Sequence, residues 1–375
     1  MNHGADIVAG RFAHHGGRLC VARSLFPNVP QPWIDLSTGI NPAPYPAPRA
    51  SVRERNRLPE PTELARLEAV AAAAFNVEDP TRVVATGGTE SALRLLPYVL
   101  KMGAAVVAGP TYSSHSDAWS RAGVETRVVA DEDLLRRAGA GRHILPDEDT
   151  MAGGASVDLP AATEDLAATG VAMTVVNPNN PDGRLLERQQ LQALHDSLHA
   201  AGGVLIVDEA FADLEPQHSV AALAGANSAP SVIVLRSFGK FYGLAGVRLG
   251  FVIASPVIAQ QLRRLLGDWP ISVDALRAGL AAYADSAWAA KTRRRLSRAA
   301  QRLDKLLISG GMTIVGGTSL YRLARAPNAR ARFTQLISHG ILARPFDHDS
   351  TLLRFGLPHG SDDWRRVADA LKVQP

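Results

Sequence analysis

A lysine stands in a glycine-rich turn, within SFGKFYGLAGVRLGF at 237–251, directly after an apolar run that reads as a buried strand. An amine in that position can form an imine with an aldehyde cofactor. Ser237 before it and Arg248 eight residues after it could hold a phosphate dianion. The other lysines, Lys101, Lys291, Lys305 and Lys372, fall on helical stretches where a solvated role is usual. The competing reading of Lys240 is a surface turn residue.

Upstream, VLIVDEAFADL at 204–214 places Asp208 at the end of an apolar strand. A carboxylate buried there is costly unless a cation compensates it, and a protonated pyridine nitrogen is such a cation. A helix cap or a metal ligand is the alternative. NPNNPDG at 177–183 is a turn by composition, and Asn180 could donate its amide to a ring oxygen. In ATGGTESAL at 85–93, a strand, a glycine turn and a helix start follow one another, so Gly88 and Thr89 could present backbone N–H groups to a phosphate. A plain capped helix explains the same letters. Tyr112, in the PTY that follows another strand, could stack on a flat cofactor or simply fill the core.

The elements that must position these residues read as an α/β unit. Val- and Ile-rich runs at 82–85, 104–108, 125–129, 172–176, 204–208, 232–236 and 249–254 alternate with segments of helical period at 62–75, 89–101 and 187–201. That pattern predicts a mostly parallel sheet flanked by helices. From about 256 the chain changes to long helices, then short strands near 312–315, 319–323, 341–343 and 351–355 and a last helix near 362–372, which reads as α+β. The Pro-rich stretch 42–48 cannot be regular helix. The expected division is therefore an arm at 1–44 packing on the smaller domain or a partner subunit, a large cofactor domain at 45–265 and a small domain at 266–375.

The order GGT, PTY, NPNNP, DEAF, SxxK and then an arginine eight residues on resembles the class I/II aminotransferase family, a fold type I group dependent on pyridoxal 5′-phosphate (PLP). Within it the similarity is to the histidinol-phosphate aminotransferase and threonine-phosphate decarboxylase branch. The resemblance implies that Lys240 is the Schiff-base lysine, Asp208 the pyridinium partner and Asn180 the donor to the phenolic oxygen. It further implies that Tyr112 stacks on the ring, and that Ser237, Arg248, Gly88 and Thr89 bind the cofactor phosphate. Arg354 in LLRFGLP matches the arginine for a substrate carboxylate, and Arg344 in GILARPF the one for a substrate phosphate. His15 of HGG and Asn41 of DLSTGINP match arm residues beside the active site of the decarboxylases.

Four positions depart from the usual pattern. Phe211 replaces a tyrosine near the ring, Gly239 stands where a hydroxyl residue often precedes the lysine, and Asp182 replaces the threonine of NPTG. Leu58 takes the place of a tyrosine that often crosses a dimer to the cofactor phosphate. Phe211 and the arm motifs favour decarboxylation of L-threonine O-3-phosphate to (R)-1-amino-2-propanol O-2-phosphate in cobalamin biosynthesis. The runner-up is transamination of histidinol phosphate with 2-oxoglutarate, and a third reading is a non-catalytic ligand-sensing domain. The resemblance also implies a homodimer.

Composition bounds the rest. The chain of 375 residues has 46% apolar side chains, 40 basic and 36 acidic residues and a formal charge of +4, which is small for a nucleic-acid binder. Its densest basic cluster, RRRLSR at 293–298, reads as the solvated face of a helix. One cysteine, Cys20, permits neither an intrachain disulfide nor a Cys-based zinc site, and no metal is expected. With no long apolar run, the expectation is a soluble cytoplasmic protein with a small phosphorylated amino-acid substrate, no nucleic acid and no membrane.

Overall fold

The computed structural model describes residues 3–130, 170–227 and 231–372. After a short arm strand, β1 (Ile34–Asp35), seven strands build the main sheet: β2 (Val83–Thr86), β3 (Ala104–Gly109), β4 (Glu125–Ala130), β5 (Val171–Val176), β6 (Val204–Asp208), β7 (Val232–Ser237) and β8 (Gly250–Ile253). Their order is β2-β8-β7-β6-β5-β3-β4. Only β8 opposes its neighbours, pairing antiparallel with both β2 and β7, while the β7-β6, β6-β5, β5-β3 and β3-β4 pairs are parallel. Strands covered on both faces show as continuous apolar runs, and every residue of β5, β6 and β7 is buried. Alternate side chains feed two cores: Ile206 and Ile233 enter one, Leu205, Val207 and Val234 the other.

In the C-terminal part, β9 (Thr313–Thr318), β10 (Tyr321–Arg325), β12 (Arg344–Pro345) and β13 (Leu352–Gly356) form an antiparallel sheet ordered β12-β13-β10-β9. A further short strand, β11 (Ile341–Leu342), pairs in parallel with β1 of the arm. The arm also holds helices that its sequence did not announce, His3–Ala13 and Leu19–Leu25. Phe12 is 2% exposed and its ring lies 5.7 Å from that of Phe333. A direct bond joins the two sheets, since Gly317 N–H of β9 donates to Asp182 O in the turn after β5 (2.5 Å).

The basic run at 293–298 departs from its expected solvated role. It lies on helix Ser286–Ser309, but Arg293 and Arg295 turn inward, to Asp213 O and to the Asn41 side chain. If the arm is anchored through Phe12, Phe12→Ala should lower the unfolding free energy by about 3 kcal/mol, as other large-to-small core changes do. Urea titration reads this directly, and an unchanged midpoint would show that the arm contributes nothing to the core.

Candidate active site

Parallel strands present their carboxyl ends to one edge of the sheet, and ligands bind there. At this edge lie Asp208, last residue of β6, and Ser237, last residue of β7. Because β8 runs the other way, it begins where they end: Gly250 is in register with both Thr86 and Ser237. The residues just before β8 are thereby delivered beside the Gly88 turn and the lysine. Arg248 sits there in the left-handed region, at φ 58°.

A cavity of about 230 Å³ opens at this edge. The main sheet and its loops contribute Gly88, Thr89, Tyr112, Asn180, Asp208, Ser237, Lys240 and Arg248 to its wall. The arm adds His15, Gly16 and Ser37 to Gly39, and the C-terminal sheet adds Arg344 and Arg354. Eleven of the twelve candidate residues therefore converge. Asn41 does not line the cavity; it is 2% exposed and its side chain is bonded to Phe241 O, Ala43 N–H and Arg295.

Lys240 lies on a single helical turn, Phe238–Phe241. Among the described residues no carboxylate forms an ion pair with it, and burial, with Arg354 nearby, pushes its amine down to about 8 although Asp208 pulls the other way. Asp208 is held from both sides. Its Oδ2 lies 2.8 Å from His115 Nε2, and its Oδ1 accepts from Ala210 N–H at 2.9 Å. An acid fixed in this way can keep a proton on a ring nitrogen placed before it.

Gly88 takes φ 93°, and a Cβ there would stand 2.6 Å from Arg248 Nη2, so the guanidinium can approach the start of helix Thr89–Leu100 only because residue 88 has no side chain. Exposed N–H groups at a helix start beside an arginine and Ser237 suit a phosphate dianion. Gly239 is likewise dictated by space, since a Cβ would meet Ala245 Cα at 2.6 Å. Asp182, at the place of the threonine of NPTG, fixes its turn by accepting from Asn179 Nδ2 and Arg184 N–H. Phe211 packs edge-on against Tyr321, 5.0 Å away, and brings no hydroxyl to the cavity. Leu58 is 60% exposed and is not among the cavity's lining residues.

Arg344 and Arg354 face each other in register across β12 and β13. Arg354 donates to Asn180 Oδ1 and to Ser37 O, and Arg344 to His14 O, yet the Nε of each is buried without a partner. Among the described residues neither forms an ion pair with a carboxylate. Burial lowers the pKa of both guanidiniums, as expected where charge is enclosed without a counter-ion. The bond from Arg354 occupies the carbonyl oxygen of Asn180 and leaves its Nδ2 as the donor.

Tyr112 donates to Glu90 Oε2 at 3.3 Å, and its ring lies 5.8 Å from His15. Burial, His14 and Arg344 lower the pKa of His15. The sequence reading passed over His115, Glu90 and Ser37 to Gly39. His115 could have been found three residues after Tyr112, and the Ser-Thr-Gly segment in the same arm motif that yielded Asn41. A lone amine, an enclosed carboxylate and a glycine-cleared phosphate cradle form a donor set that fits PLP.

The sequence profile of the family described as aminotransferase class I and II matches residues 32–371. The threonine-phosphate decarboxylase of Pseudomonas aeruginosa is 36% identical over 357 residues, covering 95% of this chain and 96% of that protein. A histidinol-phosphate aminotransferase of Cronobacter sakazakii is 28% identical, covering 90% and 89%. The crystal structure of L-threonine-O-3-phosphate decarboxylase from Porphyromonas gingivalis shares the fold with a TM-score of 0.67 and 17% identity, covering 90% of this chain and 98% of that one.

The lysine yields a prediction with a defined sign. Between pH 8 and 10.5 the unfolded chain holds a proton that folded Lys240 has released, so stability rises with pH across that window, and below it the cost of the buried charge is complete. Lys240→Met without cofactor should therefore exceed the parent in stability by about 3 kcal/mol at pH 7, an advantage that fades above pH 8. Denaturant titrations at pH 7 and 9.5 check it; an equal difference at both would contradict the shift.

Proposed function

The chain belongs to the class I and II aminotransferase family of PLP-dependent enzymes, and on that premise we propose that it decarboxylates L-threonine O-3-phosphate to (R)-1-amino-2-propanol O-2-phosphate, a step of cobalamin biosynthesis. The observation that carries this reading is the pair of enclosed guanidiniums, Arg344 and Arg354, on adjacent strands. Threonine phosphate brings a phosphate and a carboxylate together and would satisfy both. Histidinol phosphate has no carboxylate, so in the transaminase the second guanidinium would be matched only when 2-oxoglutarate takes its turn in the site, whereas threonine phosphate matches both at once. The greater identity to a threonine-phosphate decarboxylase than to a histidinol-phosphate aminotransferase supports the same choice. The presence of Lys240 speaks against a non-catalytic sensing domain.

PLP, when bound, supplies an aldehyde for the substrate amine and a ring that takes up the electron pair released as CO2 leaves. Lys240 provides the amine that anchors it. Asp208, oriented by His115, would keep a proton on the ring nitrogen, and Asn180 Nδ2 would donate to the ring's oxygen. Tyr112 would pack on the cofactor, and Gly88, Thr89, Ser237 and Arg248 would hold its phosphate. Arg344, helped by His15, would grip the substrate phosphate while Arg354 fixes the direction of the carboxylate that leaves as CO2. Lys240 is the one amine of the cavity able to return a proton to that carbon.

The arm at 1–44, the large domain at 45–265 and the small domain at 266–375 would each contribute to this chemistry. A homodimer is the assembly that the family resemblance implies. No helix among the described residues is long and apolar enough to cross a membrane; a cytoplasmic enzyme with no nucleic-acid partner is the proposed setting.

Purified protein with PLP should release CO2 from threonine phosphate in the absence of any oxo acid. Glutamate formed from 2-oxoglutarate at the expense of histidinol phosphate, with no CO2 from threonine phosphate, would replace this reading with the transaminase. Arg344→Ala should weaken threonine phosphate by about tenfold to a hundredfold while changing unphosphorylated threonine far less. Equal losses in KM for the two would assign Arg344 a structural role.

A further inference from the structure

We propose that Asn41 and Arg295 are positioning residues for Lys240, an inference that rests on the reading of Lys240 as the cofactor-anchoring lysine. The lysine's helix is one turn long, and so short a helix cannot satisfy its own last carbonyls. The arm supplies partners to three in succession. Asn41 N–H donates to Lys240 O at 2.9 Å, Asn41 Nδ2 to Phe241 O at 2.8 Å, and Tyr45 N–H to Tyr242 O at 2.8 Å. Segment 41–45 is thus the C-terminal cap of the turn that carries the lysine.

Arg295, together with Ala43 N–H, holds the Asn41 amide in its orientation and ties it to helix Ser286–Ser309. Its Nη2 donates to Asn41 Oδ1 at 2.8 Å, and Ala43 N–H donates to the same oxygen at 3.0 Å. A guanidinium only donates, so the oxygen must face Arg295 and the nitrogen must face Phe241 O. Arg293, two residues earlier on the same helix, lies 5.5 Å over the Phe241 ring while its Nε donates to Asp213 O at 2.7 Å. The basic run of helix Ser286–Ser309 therefore grips the residue after the lysine by its ring and, through Asn41, by its carbonyl.

Neither Asn41 nor Arg295 lines the cavity, so each acts through the placement of Lys240. A shift of about 1 Å in a reacting group can cost about a hundredfold in rate. Asn41→Asp keeps the shape and the Arg295 contact but loses the donor to Phe241 O. Arg295→Met keeps the amide but removes the charged donor that ties Asn41 Oδ1 to helix Ser286–Ser309, leaving Ala43 N–H on that oxygen, and Arg295→Gln restores a donor.

For the parent and each variant, the measurements are PLP capture by the apoprotein, the borohydride-fixed attachment site, the pH midpoint of the bound cofactor's absorbance, kcat, KM and melting temperature. The parent should carry its label on Lys240. Asn41→Asp and Arg295→Met should fold, capture PLP about tenfold more slowly, move the midpoint and lose kcat about tenfold or more with KM nearly unchanged, while Arg295→Gln recovers part of each. Folded variants that differ from the parent in melting temperature alone would overturn the proposal and leave the role of Lys240 standing. A parent labelled elsewhere would remove that role and this inference with it. Should Asn41→Asp not fold, Arg295→Met decides alone.

Discussion

The organising constraint of this molecule is positive charge enclosed without enough negative charge to balance it. Lys240, Arg344 and Arg354 are enclosed on the wall of one cavity with Arg248 at its exposed edge, and the carboxylates on that wall are Asp208 and Glu90. Both are already engaged, Asp208 with His115 and Glu90 with Arg94 and Tyr112. Burying a cation without a partner is expensive, so anionic ligands at this cavity relieve a cost that the protein's own carboxylates do not cover. A cofactor phosphate near Arg248 and a doubly anionic substrate near Arg344 and Arg354 would each offset part of it. Ligand binding of that kind stabilises the fold by mass action as it prepares the chemistry.

The architecture can collect these groups because three separate pieces of chain meet at one edge. Parallel strands bring Asp208 and Ser237 to their carboxyl ends, and the reversed β8 brings Arg248 back to the same place. The C-terminal sheet is tied to this edge through the Asp182–Gly317 bond and the contact of Arg354 with Asn180. The arm closes the remaining side, with Ser37 O accepting from Arg354 and His14 O from Arg344. Each buried guanidinium is thus oriented by a backbone carbonyl of the arm, which directs it without neutralising it.

Much of this was legible in the sequence, and the reason is local. Strands β5, β6 and β7 are covered on both faces and must be unbroken apolar runs, so the polar residue at each end is conspicuous: Asp208 and Ser237 could be read directly, and Lys240 from its isolation in a glycine turn. What could not be read depends on pairings far apart in the chain. Asn41 looked like a ligand because its motif resembles an arm segment beside the active site of the decarboxylases, yet two of its side-chain partners lie 200 and 254 residues away. Arg293 and Arg295 looked solvated because charge on a long helix usually is, and only the fold turns them toward Phe241 and the arm. His115 lies three residues after Tyr112, close enough in sequence to be suspected, but its pairing with Asp208, 93 residues away, is set by the fold.

The choice of cation in the cavity follows from the chemistry of an aldehyde. Any second amine within reach would compete with Lys240 for it, and a lysine placed to hold a phosphate would lose its proton more readily once buried. Arginine avoids both difficulties: it keeps its charge under enclosure, and its planar fork matches phosphate and carboxylate. The cations that accompany Lys240 on the cavity wall are all arginines. The chain as a whole has only five lysines, and the other four, at 101, 291, 305 and 372, all lie outside the residues that line the cavity. Selective reaction at a single amine is therefore a property of composition as well as of geometry. It also explains how so strongly basic a cavity can present an aldehyde with a single amine.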